Sequence, residues 1–572
     1  MLRIKKLFKK KDKIKNKNLG LLETITILII LACIFLYEVC FCNLKDIIVN
    51  RSYNFSLFRV VMYVIFGVCY YKFSGEFIEE AKKTLEKKKK IIYAYLGAVV
   101  FYTIYTFIKQ TQYYVIVLIL MAELNGLLFL LYVTKDYIKN IIISILTFGF
   151  VFSISNDVYH CIDEKKHFVS TFNVAFFNFD FNNAIIDDEL NKIDYDLPTA
   201  NFAMEYYSKK YIPNISKISD EETIYSTPAN YCPLLYIPGS IGINVARFLG
   251  GSIADVFFAG RMTNVIFYAL LLIIMFKILP FKKDLFYALY LLPLVIVISA
   301  SYSIDGMVIG GVGIFIAYLF KEYKECKDKN KSIDFKTFIK LILLFSISLI
   351  CKSGAYLSII ILFMFFPLLK LIKENKKIRY LVLGISLITF FILITQTIKI
   401  ITPNVGDSRS DGSGPSGQIE FLLENKFSIF EVYKNFLKST VFNLKLYNNF
   451  NLRVLFGKNY TFCGYLLFIY VIYITLFDNT YYFNKKEKII LSLTFIMTFF
   501  ITTFIIYISF TPVGHFNIKG YQARYLIPVL PLFLSCFNSK NVQKNDESET
   551  YNVSTIIFGG ITLIDLILLI CQ

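Results

Sequence analysis

"LLETITILIILACIFLYEVC", residues 21–40, carries only two charged side chains, Glu23 and Glu38, and nothing charged between them. A hydrocarbon layer about 30 Å thick is crossed by roughly 20 apolar residues as helix, and this block has that length. The basic run "MLRIKKLFKKKDKIKNKN" ahead of it imitates the start of a secretion signal. The apolar block is too long for a signal core, however, and no small-residue cleavage site closes it. It reads as a retained first transmembrane helix.

Blocks of the same kind recur along the 572 residues, of which 56% are hydrophobic and 18% charged. The apolar residues form long uncharged runs, not a 3.6-residue stripe and not alternating ten-residue strands. The chain is therefore an all-α polytopic membrane protein. Its formal charge of +19 lies in basic turns between the apolar blocks, with no recognisable nucleic-acid module, so positive-inside bias accounts for it and nucleic acid is not an expected partner. The eleven cysteines are scattered without CxxC or Cys/His ligand spacing, and Cys161 and Cys232 are the one pair that shares a loop.

Charge then orders the spans. A cytoplasmic N-terminus, with the basic turns "AKKTLEKKKK", "KDYIKN", "FKKD", "KEYKECKDKNK", "KENKKIR" and "NKKEK" on the same side, fits a single parity. Spans are expected at 20–42, 57–74, 91–109, 113–134, 140–158, 256–279, 285–301, 306–321, 336–351, 355–373, 380–400, 461–478, 489–510, 524–537 and 553–571, about fifteen in all. Two long loops, 159–255 and 401–460, then lie outside, and 159–230 holds six Lys against twelve Asp plus Glu. "YCPLLYIPGSIGINVARFLG" (231–250) is expected to be re-entrant or to lie on the outer surface, since a full crossing would invert every later basic turn. The stretch 418–442 reads as an amphipathic helix in the outer interface.

This parity collects ionisable residues at the outer ends of helices: Asp163, Glu164, His167, Asp305, Lys352 and Arg524. Ordinary roles exist for each. An acidic pair beyond a helix end is commonly a solvated cap, Asp305 can stabilise the N-terminus of its own helix, and Arg261 can anchor a helix at the headgroups. Tyr231 and Tyr236 read as interfacial belt residues.

Six segments in order carry a resemblance: "DEKKHF" (163–168), "YCPLLYIP" (231–238), "GRMTNVIFYALLL" (260–272), "SYSIDG" (301–306), "CKSGAYL" (351–357) and "QARYLIPVLPL" (522–532). Together they resemble the bacterial predicted-membrane-protein family called domain of unknown function 2142, which in turn is similar to the GT-C glycosyltransferases. The resemblance spans 136–540 as a GT-C-like membrane domain, leaving 1–135 as extra N-terminal helices and 541–572 as a cytoplasmic turn and last helix. It implies a bacterial cell-membrane enzyme that moves a sugar from a polyprenyl-phosphate donor to an extracytoplasmic glycan, lipid or protein acceptor, with inversion. It also implies Asp163 as the base with Glu164 beside it, and His167, Arg261, Asp305, Lys352, Tyr521 and Arg524 as substrate-binding residues. Membrane lipids are the other expected partners. The cofactor stays open between none and a divalent cation, with no protein ligand set for a metal in the sequence.

The chemistry of the residues agrees. Inverting transfer needs one carboxylate at the acceptor hydroxyl, and a leaving phosphate needs cations, for which Arg offers paired donors. Two rivals remain. A lipid-linked glycan polymerase or ligase would share topology and donor, and a transporter or flippase would use intramembrane acids such as Glu123 and Asp565.

Overall fold

The computed structural model describes residues 21–41, 113–193, 209–217, 229–330, 333–366, 412–442, 461–537 and 547–570, apart from a few positions within them, and scattered positions in 56–108 and 377–384. The chain is mostly helical, as its apolar blocks demand. The helices are α1 (Leu21–Phe41), α2 (Tyr113–Tyr132), α3 (Tyr137–Ser155), α4 (Glu164–Ala175), α5 (Ile237–Phe248), α6 (Ile253–Ile278), α7 (Lys283–Tyr290) and α8 (Pro293–Ser299). They continue as α9 (Asp305–Lys329), α10 (Phe335–Ile350), α11 (Pro415–Glu424), α12 (Ser428–Phe436), α13 (Thr461–Phe477), α14 (Lys485–Phe510) and α15 (Glu547–Ile570).

Five of these, counted within Val115–Tyr132, α3, α6, α9 and α14, are long and apolar enough to cross a membrane. The expectation of about fifteen spans is not met among the described residues, and prolines are one cause. Pro293 splits 285–301 into α7 and α8, and 524–537 is broken into short 3-10 and α turns around Pro528 and Pro531. Proline removes a backbone donor and clashes with the preceding turn, so an apolar run containing it need not be one helix. Within 355–373, Leu357–Phe365 is a 3-10 helix, whereas 380–400 lies almost wholly outside the described residues.

The helix starts are written locally. Ser252 and Asp255 form a capping box on α6, with Ser252 Oγ accepting from the Asp255 amide at 3.1 Å and Asp255 Oδ2 from the Ser252 amide at 3.0 Å. Asn484 and Glu487 do the same for α14. Each box satisfies two amides that a bare helix end would leave unpaired.

α6 is the central element. It packs along α9, and Gly260 lets the ring of Tyr302 come against its backbone, while Gly313 meets Met275 and Tyr290 near the other end. α5 packs beside the first turns of α6, with Gly242 directly against the Ala259 carbonyl. Twelve residues of helix reach only about 18 Å, so α5 is too short to cross.

Between α4 and α5 a two-stranded antiparallel ribbon pairs Ile185–Asp187 with Ile215–Lys217. Buried Asp187 organises it by accepting from the Glu189, Leu190 and Asn214 amides and from the Tyr211 hydroxyl. The stretch 418–442, expected as one amphipathic helix, is instead broken at 425–427 into α11 and α12, the latter followed by a π turn. Val432 and Phe436 pack on Tyr507 and Tyr521, while Leu423, Phe427 and Phe430 on the other side are exposed. Cys161 and Cys232 are free thiols.

The bundle has two distinct ends. At one, the Tyr137 hydroxyl donates to Asp284, the Lys282 ammonium meets Asp478, and Lys327 donates to Glu487 at 2.9 Å. Four of the basic turns, 135–140, 281–284, 321–331 and 484–488, therefore gather there. The other end holds the last turn of α3 and the first turns of α4 and α9.

Candidate functional site

At that second end the chain turns sharply between α3 and α4. Tyr159 and Asp163 both adopt left-handed backbone conformations, with φ of 60° and 62°. Asp163 sits at the N-cap position of α4, half-buried, with its carbonyl accepting from the His167 amide, but its side chain does not cap the helix. Glu164, the next residue, points inward and is fully buried.

Glu164 meets Arg261, which is also fully buried although it lies two turns into α6. Arg261 Nε and Nη2 each donate at 2.7 Å to the two carboxylate oxygens, a paired fork-to-fork contact. Its remaining donors go to the carbonyls of Ser153 at 3.2 Å, Asn156 at 2.5 Å and Asp157 at 2.9 Å. Glu164 Oε1 also accepts from the Tyr302 amide at 3.2 Å. Every guanidinium N–H is thus used, and the pair ties α3, α4, α6 and the loop before α9 together.

Beside this clasp lies a second ionic centre with a different balance. Asp305, the first residue of α9, has its Oδ1 2.5 Å from the Lys352 ammonium and its Oδ2 2.7 Å from Arg524 Nη1. One carboxylate therefore faces two cations. The Arg524 contact is close but misaligned, so neither atom makes a formal hydrogen bond, and Arg524 Nε is buried without any partner. Lys352 is held in a left-handed backbone conformation, φ 65°, an arrangement that costs a non-glycine residue energy and that its surroundings must enforce. Tyr356 donates to the Tyr525 carbonyl at 2.9 Å, joining the Lys352 turn to the Arg524 turn. The Tyr525 ring lies beneath both cations, 4.2 Å from Lys352 Nζ and 5.4 Å from the Arg524 guanidinium carbon.

His167 completes the group. Its Nδ1 is 3.1 Å from the Tyr236 hydroxyl, which itself donates to the Ala229 carbonyl, and its ring stacks on Tyr231. Burial pushes its pKa down to about 3, and Lys352 and Arg524 push the same way against the opposing pull of Asp305. His167 is thus a neutral imidazole at physiological pH. Tyr521 stands one shell back, its ring 5.9 Å from that of Tyr525 and its hydroxyl 3.3 Å from Thr502 Oγ1. Buried Cys161 feels Glu164, Arg261 and Arg524, so the clasp and the cation centre adjoin.

Of the residues expected from sequence, His167, Asp305, Lys352 and Arg524 come together, while Glu164 and Arg261 pair with each other. Tyr231 and Tyr236, read as interfacial belt residues, instead pack around His167, and Tyr236 is buried. Tyr525 and the Tyr302 amide were not anticipated. Their motifs, "QARYL" and "SYSID", were visible, but in a chain with 41 tyrosines nothing singled them out. Among the described residues no three His, Cys, Asp or Glu side chains converge as a metal site would need.

All of these residues fall within 146–533, the part of the chain that matches the family described as predicted membrane protein (DUF2142). The chain belongs to that family. No curated protein and no solved structure matches it. In this DUF2142 member, residues before 146 and after 533 stand outside the family match. The buried clasp and the cation centre both belong to its shared segment.

Proposed function

We propose that this DUF2142 protein is a membrane glycosyltransferase of GT-C-like architecture that uses a polyprenyl-phosphate sugar donor at the outer face of the bacterial membrane. The observation that carries the reading is the pair of cations, half-buried Lys352 and buried Arg524, sharing the single carboxylate of Asp305. Mostly desolvated positive charge in excess of its partner is costly, and an anion entering beside it recovers that cost. A phosphate leaving group is such an anion. Arg524 has an unused Nε for it, and the flat guanidinium suits paired phosphate oxygens.

The reaction then needs a base. Glu164 is committed to Arg261 through both oxygens, which leaves Asp163, half-buried at the head of α4, as the carboxylate that takes the acceptor's proton. As the acceptor oxygen bonds to the sugar's anomeric carbon, the carbon–oxygen bond to phosphate breaks from the opposite face. Its electron pair passes to the phosphate oxygen held by Arg524 and Lys352, with inversion at carbon. In this reading 159–255 and 401–460 face outside, and the end carrying Lys282, Lys327 and Glu487 faces the cytoplasm. The acceptor is a glycan, lipid or protein of the envelope.

The test is transfer by the purified protein in liposomes, from polyprenyl-phosphate hexoses to envelope extracts, beside the surface glycan of cells lacking the protein. Transfer in the first and a truncated or undecorated glycan in the second are expected. An unaltered glycan together with no transfer from any hexose donor would sink the proposal.

A further inference from the structure

Next to the cation centre lies a set of neutral polar side chains that the reaction above does not use. Ser155 and Asn156 end α3, and Ser299 ends α8, which packs against α3. Ser155 and Ser299 are almost fully buried and Asn156 completely so. Yet Ser155 Oγ, both polar atoms of the Asn156 side chain and Ser299 Oγ have no hydrogen-bond partner among the described residues. Each such group costs roughly 1–3 kcal/mol when left unpaired away from water. Four orphaned atoms at the ends of two packed helices need an account.

Their position is bounded by contacts on α6. Arg261 donates to the backbone carbonyls of Ser153 and Asn156, and one turn on, Asn264 donates to the Ser301 carbonyl at 2.8 Å. Ser299 is pressed against Gly306, the neighbour of Asp305, so close that any side chain at 306 would collide with the Ser299 hydroxyl. The ends of α3 and α8 and the start of α9 are therefore drawn around adjacent turns of α6. Ser299 thus stands against the first turn of α9, next to Asp305, and Asn156 lies at the Arg261 clasp; Asp305 Oδ2 and Arg524 Nε also lack hydrogen bonds.

We infer that Asn156 and Ser299, with Ser155, form a subsite for a polyhydroxylated group, the sugar of the donor whose phosphate rests on Arg524 and Lys352. An amide presents donors and an acceptor together, and a serine hydroxyl does both. That is the set which matches vicinal sugar hydroxyls, whereas a phosphate would need only donors. Gly306 keeps Ser299 beside Asp305, so phosphate and sugar contacts are coupled through one helix start. The inference rests on the glycosyltransferase reading and adds where the sugar is recognised and by which groups.

The experiment measures thermal stabilisation of the purified, detergent-solubilised full chain by two probes. One is bare polyprenyl phosphate, and the other is polyprenyl phosphate carrying one hexose, with mannose, glucose and galactose forms tried in turn. For the unmodified protein, at least one hexose form is expected to stabilise more than the bare lipid. Asn156→Leu keeps the branched side-chain shape and the backbone carbonyl that Arg261 uses, and Ser299→Ala removes one oxygen. Either substitution should keep the response to bare polyprenyl phosphate and lose the extra increment from the hexose, whereas Arg524→Lys should weaken both. If the increment survives in both Asn156→Leu and Ser299→Ala, or if no hexose gives one, the sugar subsite is refuted while the phosphate site stands. If neither probe stabilises the unmodified protein, the donor reading fails, and this inference fails with it.

Discussion

Two buried ionic centres sit side by side in this protein, and they are built on opposite terms. In the Glu164–Arg261 clasp each charge has one partner of opposite sign, all guanidinium donors are used, and both residues are completely buried. In the Asp305 centre one carboxylate serves two cations, the Arg524 contact is misaligned, and Lys352 keeps 15% of its side chain exposed. The first arrangement is closed and has nothing left to offer a ligand. The second is unfinished, and an unfinished centre in a packed bundle is where chemistry is to be sought. Proximity to the candidate site is thus a poor guide to role, because Glu164 and Arg261 adjoin it and are closed.

The comparison breaks most readily at the clasp. Arg261→Met leaves a buried carboxylate and three backbone carbonyls without their donor, so stability should fall by about 3–5 kcal/mol, the usual cost of orphaning one member of a buried pair. Thermal unfolding in detergent and the yield of folded protein read this directly. A variant that folds normally would mean the clasp is not structural. Asp163→Asn should behave in the opposite way, with unchanged unfolding and transfer reduced roughly 100- to 10,000-fold, the range for a lost general base. Normal transfer by that variant would move the search for the base elsewhere.

How much of this was legible in the sequence differs between the two centres. His167, Asp305, Lys352 and Arg524 could be named together because each stands at a helix end on one side of the charge-derived parity, and the fold does bring them together. The pairing of Glu164 with Arg261 could not be read, since 97 positions separate them and nothing local reports a partner at that range. Arg261 even looked like a headgroup anchor, because a guanidinium near a helix start is consistent with either role. The span count failed for a related reason. Hydropathy registers how apolar a stretch is, but Pro293, Pro528 and Pro531 decide whether it runs as one helix.

The unfinished centre is sharpened by a smaller change that keeps its charge. Arg524→Lys retains the attraction to Asp305 but loses the flat fork and the free Nε. Donor use should weaken by roughly 10- to 100-fold in kcat/KM, in line with about 1.5–3 kcal/mol for a charge-assisted hydrogen bond, with abundance in the membrane unaltered. Normal donor kinetics would leave Arg524 as a structural partner of Asp305 only.

The smallest expected effect comes from His167, which lies within the electrostatic reach of the unfinished centre without carrying charge. Its folded pKa of about 3 lies below the ordinary value of 6.5, chiefly through burial, so the unfolded chain binds the proton more readily than the folded one. Above pH 6.5 both states hold a neutral ring, and the residue adds no pH dependence. As pH falls below 6.5 the unfolded state takes up a proton that the folded state refuses, and stability declines until the folded ring titrates near pH 3. One pH unit in this window is worth at most roughly 1.4 kcal/mol. His167→Gln cannot take up that proton in either state, so its unfolding should be flatter between pH 6.5 and 5.5 by about 1 kcal/mol, whatever its stability at pH 7.5. Equal slopes for the two proteins would mean that the ring is protonated in the folded state. Asp305 would then be shared among three cations, and the contrast with the closed clasp would be greater still.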